Sequence, residues 1–411
     1  MKKTLTQTEK IQFEYLIKIL SAAVNNTSAP LPSDRVSWQS LISYAERCGV
    51  EAMFSNTVLS LPEKNLSDNG IINALKKNAA KEILIDGNLD YEIENLLAAF
   101  DAHNIKNLPL KGYFMKREYP RPEFRSVSDF DILFDVEQID AVKAVFSELG
   151  YTFLHNDDNQ YHFQKKPLIY VEMHTTLVHK KESYFPYLKD QLENSVKRRD
   201  YKCSYQMKPE DYYIYMLVHN SNHFRIGGMG IRMVLDTYVY YKNHQNEFDF
   251  NYLNDRLGLL NLTKYESRVR EIAFNWFSSP NPKMKFDNME VYILLSATLG
   301  RQDVAVMISS QRKISESAQQ GKKKSKLTYL LSSIFPNREQ MAVTYNYLNR
   351  LPFLLPFSWC QFWFKRFFVD RNVHIRNGVK IRMSYTDDDV NYYLSLIDEA
   401  GFENFGIENH A

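Results

Sequence analysis

Cysteine is scarce in this chain of 411 residues: Cys48, Cys203 and Cys360 are the whole set. Widely spaced thiols in odd number supply neither a disulfide framework nor the close ligand pairs of a structural zinc site. They read as reduced thiols of a cytoplasmic protein. An excess of one charge is also lacking, since 51 Lys and Arg face 49 Asp and Glu for a formal net charge of +2. No global field therefore marks the chain as a binder of nucleic acid or of acidic partners, and any basic surface has to be local. Long apolar runs are absent too: nothing approaches the roughly 18–20 uninterrupted apolar residues that a membrane-spanning helix needs. In the opening stretch, MKKTLTQTEKIQFEYLIKILSAAV, Glu9, Lys10 and Glu14 interrupt any signal-like apolar core. The expectation is a soluble, cytoplasmic protein without a membrane span. P-loop, nucleophile-elbow and zinc-finger spacings are missing as well.

What the chain does have is apolar material, 44% hydrophobic and 14% aromatic, enough for more than one core. From Thr6 to about Asn104 these residues recur at helical spacing, as in Phe13, Leu16, Ile17 and Leu20, and later Leu89, Ile93, Leu96, Leu97 and Phe100. Pro30, Pro32 and Pro62 separate the segments. The pattern predicts a helical N-terminal region over residues 1–104. The texture changes at Ile105. Asp129–Asp135, Tyr151–Leu154, Tyr161–Gln164 and Leu168–His174 read as strands, with a helix over Glu137–Gly150 between the first two. This is the pattern of an α+β fold, with a mixed-sheet domain over residues 105–207. Helical spacing returns at Lys208 through Tyr212, Tyr215, Met216 and His219, giving a helical C-terminal region, 208–411. Within it the polar, basic stretch from Gln311 to Lys326 reads as a loop. LPFLLPFSWCQFWFKRFF, from Leu351 to Phe368, reads as a last core layer, with a helix lying at a membrane interface as the alternative.

The stretch LPLKGYFMKREYPRPEFRSVSDFDILFD, Leu108 to Asp135, concentrates the chemistry. Residues alternate faces along a strand, so Asp129 and Asp131 point the same way while Phe130 and Ile132 point into a core. Two carboxylates so placed repel each other unless a cation lies between them, and Mg²⁺ takes one or two carboxylates together with substrate phosphates. In LIYVEMH, Glu172 shares a face with Tyr170 and His174 and offers a third acid, enough for two metal ions. Ahead of these, Lys111 offers a point charge for phosphate. Gly112 lets backbone approach a ligand, and the helix that follows would turn free amides toward an anion. Arg125 brings a second cation to the same mouth, with Ser126 and Ser128 as neutral donors. Farther on, His219 and His223 lie four apart on one helix face, as do Arg232 and Asp236. The histidine pair lacks the Glu of a metalloprotease H-E-x-x-H and reads as packing against the sheet domain or as part of an acceptor pocket. Arg232 with Asp236 reads as an ion pair.

The ordered set Lys-Gly, helix, Arg, Asp-x-Asp, helix, strands, then an acid within a strand resembles the polymerase β-type nucleotidyltransferase superfamily. More narrowly it is similar to the uncharacterised bacterial nucleotidyltransferase family, whose members carry LKG, then R-x-x-S-D-x-D-x-L, then an E-x-H strand. The matching residues are Lys111, Gly112, Arg125, Ser128, Asp129, Asp131, Leu133, Glu172 and His174, and the likeness runs on through DYYIYMLVHNSNHFRIGGMGIRMVLD. Tyr113 stands where many members of the superfamily carry Ser. The resemblance implies transfer of an NMP group from an NTP donor with two Mg²⁺ ions. In that reading Asp129, Asp131 and Glu172 are the catalytic and metal-holding residues, and Lys111, Gly112, Arg125 and Ser128 bind the nucleotide. His174, His219, His223, Arg232 and Asp236 then line the acceptor pocket. The near-neutral charge favours a small-molecule acceptor over nucleic acid. The alternatives are a toxin-type enzyme acting on RNA or protein, with the Lys322–Lys326 run guiding RNA, and a catalytically silent nucleotide-binding scaffold.

Overall fold

Thr6 opens the first helix with a reciprocal cap: its hydroxyl accepts from the Glu9 amide while the Glu9 carboxylate accepts from the Thr6 amide. The computed structural model describes residues 2–66, 69–157, 159–167, 169–298, 300–319, 335–365 and 380–402. Helix α1 (Gln7–Val24) is followed by α2 (Trp38–Cys48), α3 (Glu51–Val58) and the long α4 (Asn69–Ala102). Gly49 ends α2 in the left-handed region at φ +64, where a side chain would be strained. A Cβ there would also stand 2.8 Å from Thr298 Oγ1 and 3.1 Å from Arg232 Nη1.

The sheet is built from β1 (Asn107–Pro109), β2 (Phe130–Phe134), β3 (Thr152–Asn156), β4 (Gln160–Lys165) and β5 (Ile169–His174), in the spatial order β1-β2-β5-β4-β3. Only β2 and β5 are parallel; the other neighbours are antiparallel. This is the α+β class with a mixed sheet. Helices α5 (Lys111–Glu118) and α6 (Ile139–Glu148) connect β1 to β2 and β2 to β3. Alternation sorts the side chains: Phe130, Ile132, Phe134, Phe163, Val171 and Met173 join Leu89, Ile93, Leu97 and Phe100 of α4 and Val142, Val145 and Phe146 of α6 in one core. Asp131, Glu172 and His162 are left for the opposite face. Asp129 and Asp135 fall just outside β2, one residue short of the expected strand at each end.

Beyond the short helices α7 (Phe185–Leu188) and α8 (Gln191–Asn194) and a small hairpin, the chain is helical: α9 (Pro209–Ile226), α10 (Ile231–His244), α11 (Phe250–Leu259), α12 (Thr263–Phe277) and α13 (Asn288–Leu295). The chain divides into two compact units. One is Thr4–Asn222 with Met229–Thr298 and contains the sheet; the other is Met1–Lys3, His223–Gly228 and Leu299–Ala411.

Two expectations for the second unit change. The stretch from Gln311 is helical as far as Gln319, as part of α14 (Gln302–Gln319). Val304, Met307 and Ile308 bury one stripe and carry the polar residues behind them in register. Residues 320–326, with the lysine run, lie outside the described residues. The aromatic stretch forms a helix over Leu355–Phe364, but it is no buried layer: Phe353, Phe357 and Phe364 are 73%, 56% and 61% exposed. One side alone packs, where Trp359 and Phe362 lie against a small core of Met341, Ala342 and Leu348. Among the described residues, no helix is long and apolar enough to cross a membrane.

Phe146 stacks on Phe163 with ring centroids 3.9 Å apart and meets Phe100 edge-on, so it joins α6, the sheet and α4. Phe146→Ala is expected to cost about 3–5 kcal/mol in urea denaturation followed by far-UV circular dichroism.

Candidate active site

Parallel pairing of β2 with β5 sets Asp131 directly beside Glu172 and Leu133 beside His174. Antiparallel pairing of β4 with β5 continues the rows, placing His162 beside Glu172 and Gln160 beside His174. Acids far apart in sequence thus share one sheet face. Asp131 is buried, and its Oδ1 lies 2.6 Å from His174 Nε2 and 3.5 Å from Lys111 Nζ. Glu172 is half-buried, its Oε2 being 3.8 Å from His174 Nε2 and its Oε1 3.6 Å from His162 Nδ1. Asp131, Glu172 and His174 offer ligand atoms all within 4.8 Å of one another. Asp129 is not in that group; its Oδ1 accepts the Ser128 hydroxyl at 2.7 Å.

The two neighbouring acids are held in opposite directions. Burial alone would raise the Asp131 carboxyl, but Lys111, the hydrogen bond from His174 and the charge of His219 hold it well below the usual carboxylate range. Glu172 is pushed up, first by burial and then by the negative charges of Asp131 and Asp129. Burial would lower the Lys111 ammonium, and Asp131, Tyr215, Asp129 and Glu172 together raise it instead. The face is therefore short of positive charge at Glu172 and compensated at Asp131. Two carboxylates and an imidazole so close together fit a hard divalent cation, with the carboxylates as the natural ligands for Mg²⁺.

Lys111 begins α5 at φ +26, an uncommon conformation for a residue with a Cβ. Tyr212 of α9 fixes this turn by donating from its hydroxyl to the Lys111 carbonyl at 3.0 Å. No side chain caps the helix at Leu110. Gly112 has a packing reason beside the ligand approach expected of it. A Cβ would stand 3.0 Å from both Arg125 Nη1 and Val127 Cγ1, so the glycine makes room for the arginine.

The expected Arg232–Asp236 pair is not formed. Asp236 instead takes Arg125, at 3.1 Å to Nε and 3.0 Å to Nη2, and the Tyr119 hydroxyl at 2.6 Å. The planar guanidinium offers the carboxylate two parallel donors, which outcompetes a residue one helical turn away. Arg232 turns to the Ser126 carbonyl, 3.5 Å away, and has no carboxylate partner among the described residues. Burial and the like charge of Arg125 push Arg232 down from its ordinary value. His219 lies in the same unit as Asp131, whereas His223 belongs to the other unit. His162 escaped the sequence reading, in which Tyr212 and Tyr215 stand only as helix residues, not as part of the site. For His162 the usable signal was period two in QYHFQK, which puts it on the face of Gln160.

Residues 34–278, more than half of the chain, match the model of a family described as uncharacterised nucleotidyltransferase. A solution structure of the antibiotic-resistance factor ANT(2'')-Ia is similar at 12% identity, over 43% of this chain and 96% of that one, with a TM-score of 0.32. No curated protein matches the sequence.

The opposite shifts give a sign test without added metal. The folded carboxyl of Asp131 lies below its ordinary 3.8, so its stabilisation is present above about pH 4 and is lost as pH falls. That of Glu172 lies above 4.5, so stability falls as pH rises past that value. At pH 7 with EDTA, Asp131→Asn is expected to cost about 1–3 kcal/mol, because Lys111 and His174 lose their partner. Glu172→Gln is expected to raise the melting temperature. Thermal denaturation of both variants beside the native chain checks the pair.

Proposed function

The chain belongs to the uncharacterised nucleotidyltransferase family, and on that premise we propose that it transfers an NMP group from an NTP to a hydroxyl of a small-molecule acceptor. The observation that carries this reading is the lateral pairing of Asp131 with Glu172, with the Lys111 ammonium on the same face. Asp131 and Glu172, with Asp129 beside them, would hold Mg²⁺, which when bound offsets phosphate charge and acidifies a hydroxyl. Glu172 takes the acceptor proton: its raised carboxyl is suited to a general base. The acceptor oxygen bonds to the α-phosphorus, the bond from that phosphorus to the bridging oxygen breaks, and pyrophosphate leaves with the electron pair. His174 orients Asp131 through the bond from Nε2 to Oδ1.

Lys111, Arg125 through its free Nη1, and Arg232 face the developing charge on pyrophosphate, as do the first amides of α5. Arg232 is the strongest of these candidates, since a half-buried guanidinium with no carboxylate among the described residues gains most from an anion. Ser128 donates its hydroxyl to Asp129 and so holds that carboxylate in place. For the acceptor, a cleft of about 920 Å³ lined by Asn156, Asn159, Thr175, Thr176, His179 and Lys180 begins one residue beyond His174. Its volume suits a small polar molecule.

The first test is a thermal-shift panel with ATP, GTP, CTP and UTP, each with Mg²⁺ and with EDTA, beside Asp131→Asn. Ligand at 100 times its dissociation constant adds about 2.7 kcal/mol, a visible shift. The expected result is a Mg²⁺-dependent shift lost in the variant, together with a fall in transfer of about 10²–10³-fold or more. Transfer that survives in Asp131→Asn sinks the assignment. Binding without turnover favours a silent scaffold, and steeply salt-dependent RNA affinity favours an RNA acceptor. Arg232→Gln is expected to weaken NTP binding about tenfold, read by titration calorimetry, while leaving the melting temperature of the ligand-free protein close to native.

A further inference from the structure

The row of side chains that begins at Asp131 does not stop at Glu172. Across four neighbouring strands the register aligns Asp131, Glu172, His162 and His155 on one face. The inner end is the candidate active site. The outer end is a second cluster that the proposed transfer reaction leaves unused.

His155 of β3 and His162 of β4 form a direct cross-strand pair, with rings stacked at 4.3 Å and 14° between their planes. Both Nε2 atoms converge on one carboxylate oxygen, Asp157 Oδ2, at 3.9 Å from His155 and 3.1 Å from His162. The three ligand atoms lie within 4.8 Å of one another. Ligands around a tetrahedral zinc-like ion at 2.0–2.1 Å stand roughly 3.4 Å apart, so the spacing needs little adjustment. His155 and Asp157 are 58% exposed, which leaves a coordination position open to water or to a ligand from the adjoining cleft, one of whose walls is Asp157.

The inner and outer clusters differ in donor type. Asp131, Glu172 and His174 present two carboxylates and one imidazole, an oxygen-rich set that suits Mg²⁺, whereas the hairpin presents two imidazole nitrogens and one oxygen, which suits a first-row transition dication. The support behind the ligands is also in place. With Nε2 of His162 bound to an ion, its Nδ1 carries the proton and faces Glu172 Oε1, 3.6 Å away. A carboxylate behind a ligating imidazole fixes its tautomer and strengthens it as a ligand.

We propose that the β3–β4 hairpin binds one first-row transition dication of the zinc class through Nε2 of His155, Nε2 of His162 and the Asp157 carboxylate. The site is separate from the Mg²⁺-type centre and does not depend on the transfer reaction. Through His162 it touches Glu172, so occupancy of the hairpin orients the imidazole that flanks the proposed general base.

The test is titration of the full chain with Zn²⁺ by calorimetry, and with Co²⁺ by visible absorption, in excess Mg²⁺. His155→Ala, Asp157→Asn and Asp131→Asn are measured beside the native protein. His155 and Asp157 are exposed, so their variants keep the fold, and circular dichroism confirms it. The expected result is one equivalent of Zn²⁺, tetrahedral-type Co²⁺ absorption, a loss of affinity of at least about tenfold in His155→Ala and Asp157→Asn, and native affinity in Asp131→Asn. Native affinity in His155→Ala, loss confined to Asp131→Asn, or no binding by the native chain each overturns the proposal.

Discussion

The parallel pairing of β2 with β5 is the constraint on which the site depends. It brings two acids from distant parts of the chain into lateral contact, a repulsive arrangement in a partly dry setting. Compensation is uneven. Asp131 receives Lys111 and His174, and Glu172 receives only a share of two imidazoles. One acid is therefore kept charged and its neighbour is left able to hold a proton. Role separation between like side chains follows from where the cations stand, and needs no difference in chemistry between Asp and Glu.

The cations are themselves held by anions outside the site. Lys116, in the last turn of α5, is fully buried and lies 2.6 Å from both Asp86 and Asp90 of α4. Arg125 is gripped by Asp236, which also accepts from Tyr119. These pairs anchor the chain that follows Lys111, and the Tyr212 hydroxyl holds the Lys111 carbonyl itself, so the positive-φ turn at Lys111 is fixed by its surroundings. Arg232 differs from these because its guanidinium has no carboxylate among the described residues, next to a cation that has one.

Much of this was legible in the sequence, and what was not has a physical reason. Period-two alternation around Asp131 and Glu172 showed both acids on polar strand faces, and the order of motifs pointed to the fold. Register did not show. Nothing in QYHFQK says which residue of β5 stands opposite His162, so the four-residue row stayed hidden. Partner choice was equally out of reach: Arg232 and Asp236 have helical spacing, yet the bidentate geometry of Arg125 decides the pairing. The packing of Gly112 against Arg125 was also out of reach, because a missing Cβ looks the same in sequence whether the space serves a ligand or a side chain. Exposure of Phe353 and Phe357 was missed since apolar composition alone does not fix burial.

Helix α4 has 34 residues, roughly 50 Å of continuous backbone. Leu75 and Ala79 in its first half are buried, and Asn78 bonds Glu46 of α2, whereas Leu89 to Phe100 in its second half belong to the sheet core. Its middle is thinly covered, with Ile83 and Leu84 exposed and open space at Gly87. One rod therefore serves two cores. Melting either end strips a wall from the other, so the N-terminal helices and the sheet lose structure together, and the length of a single helix makes their unfolding cooperative.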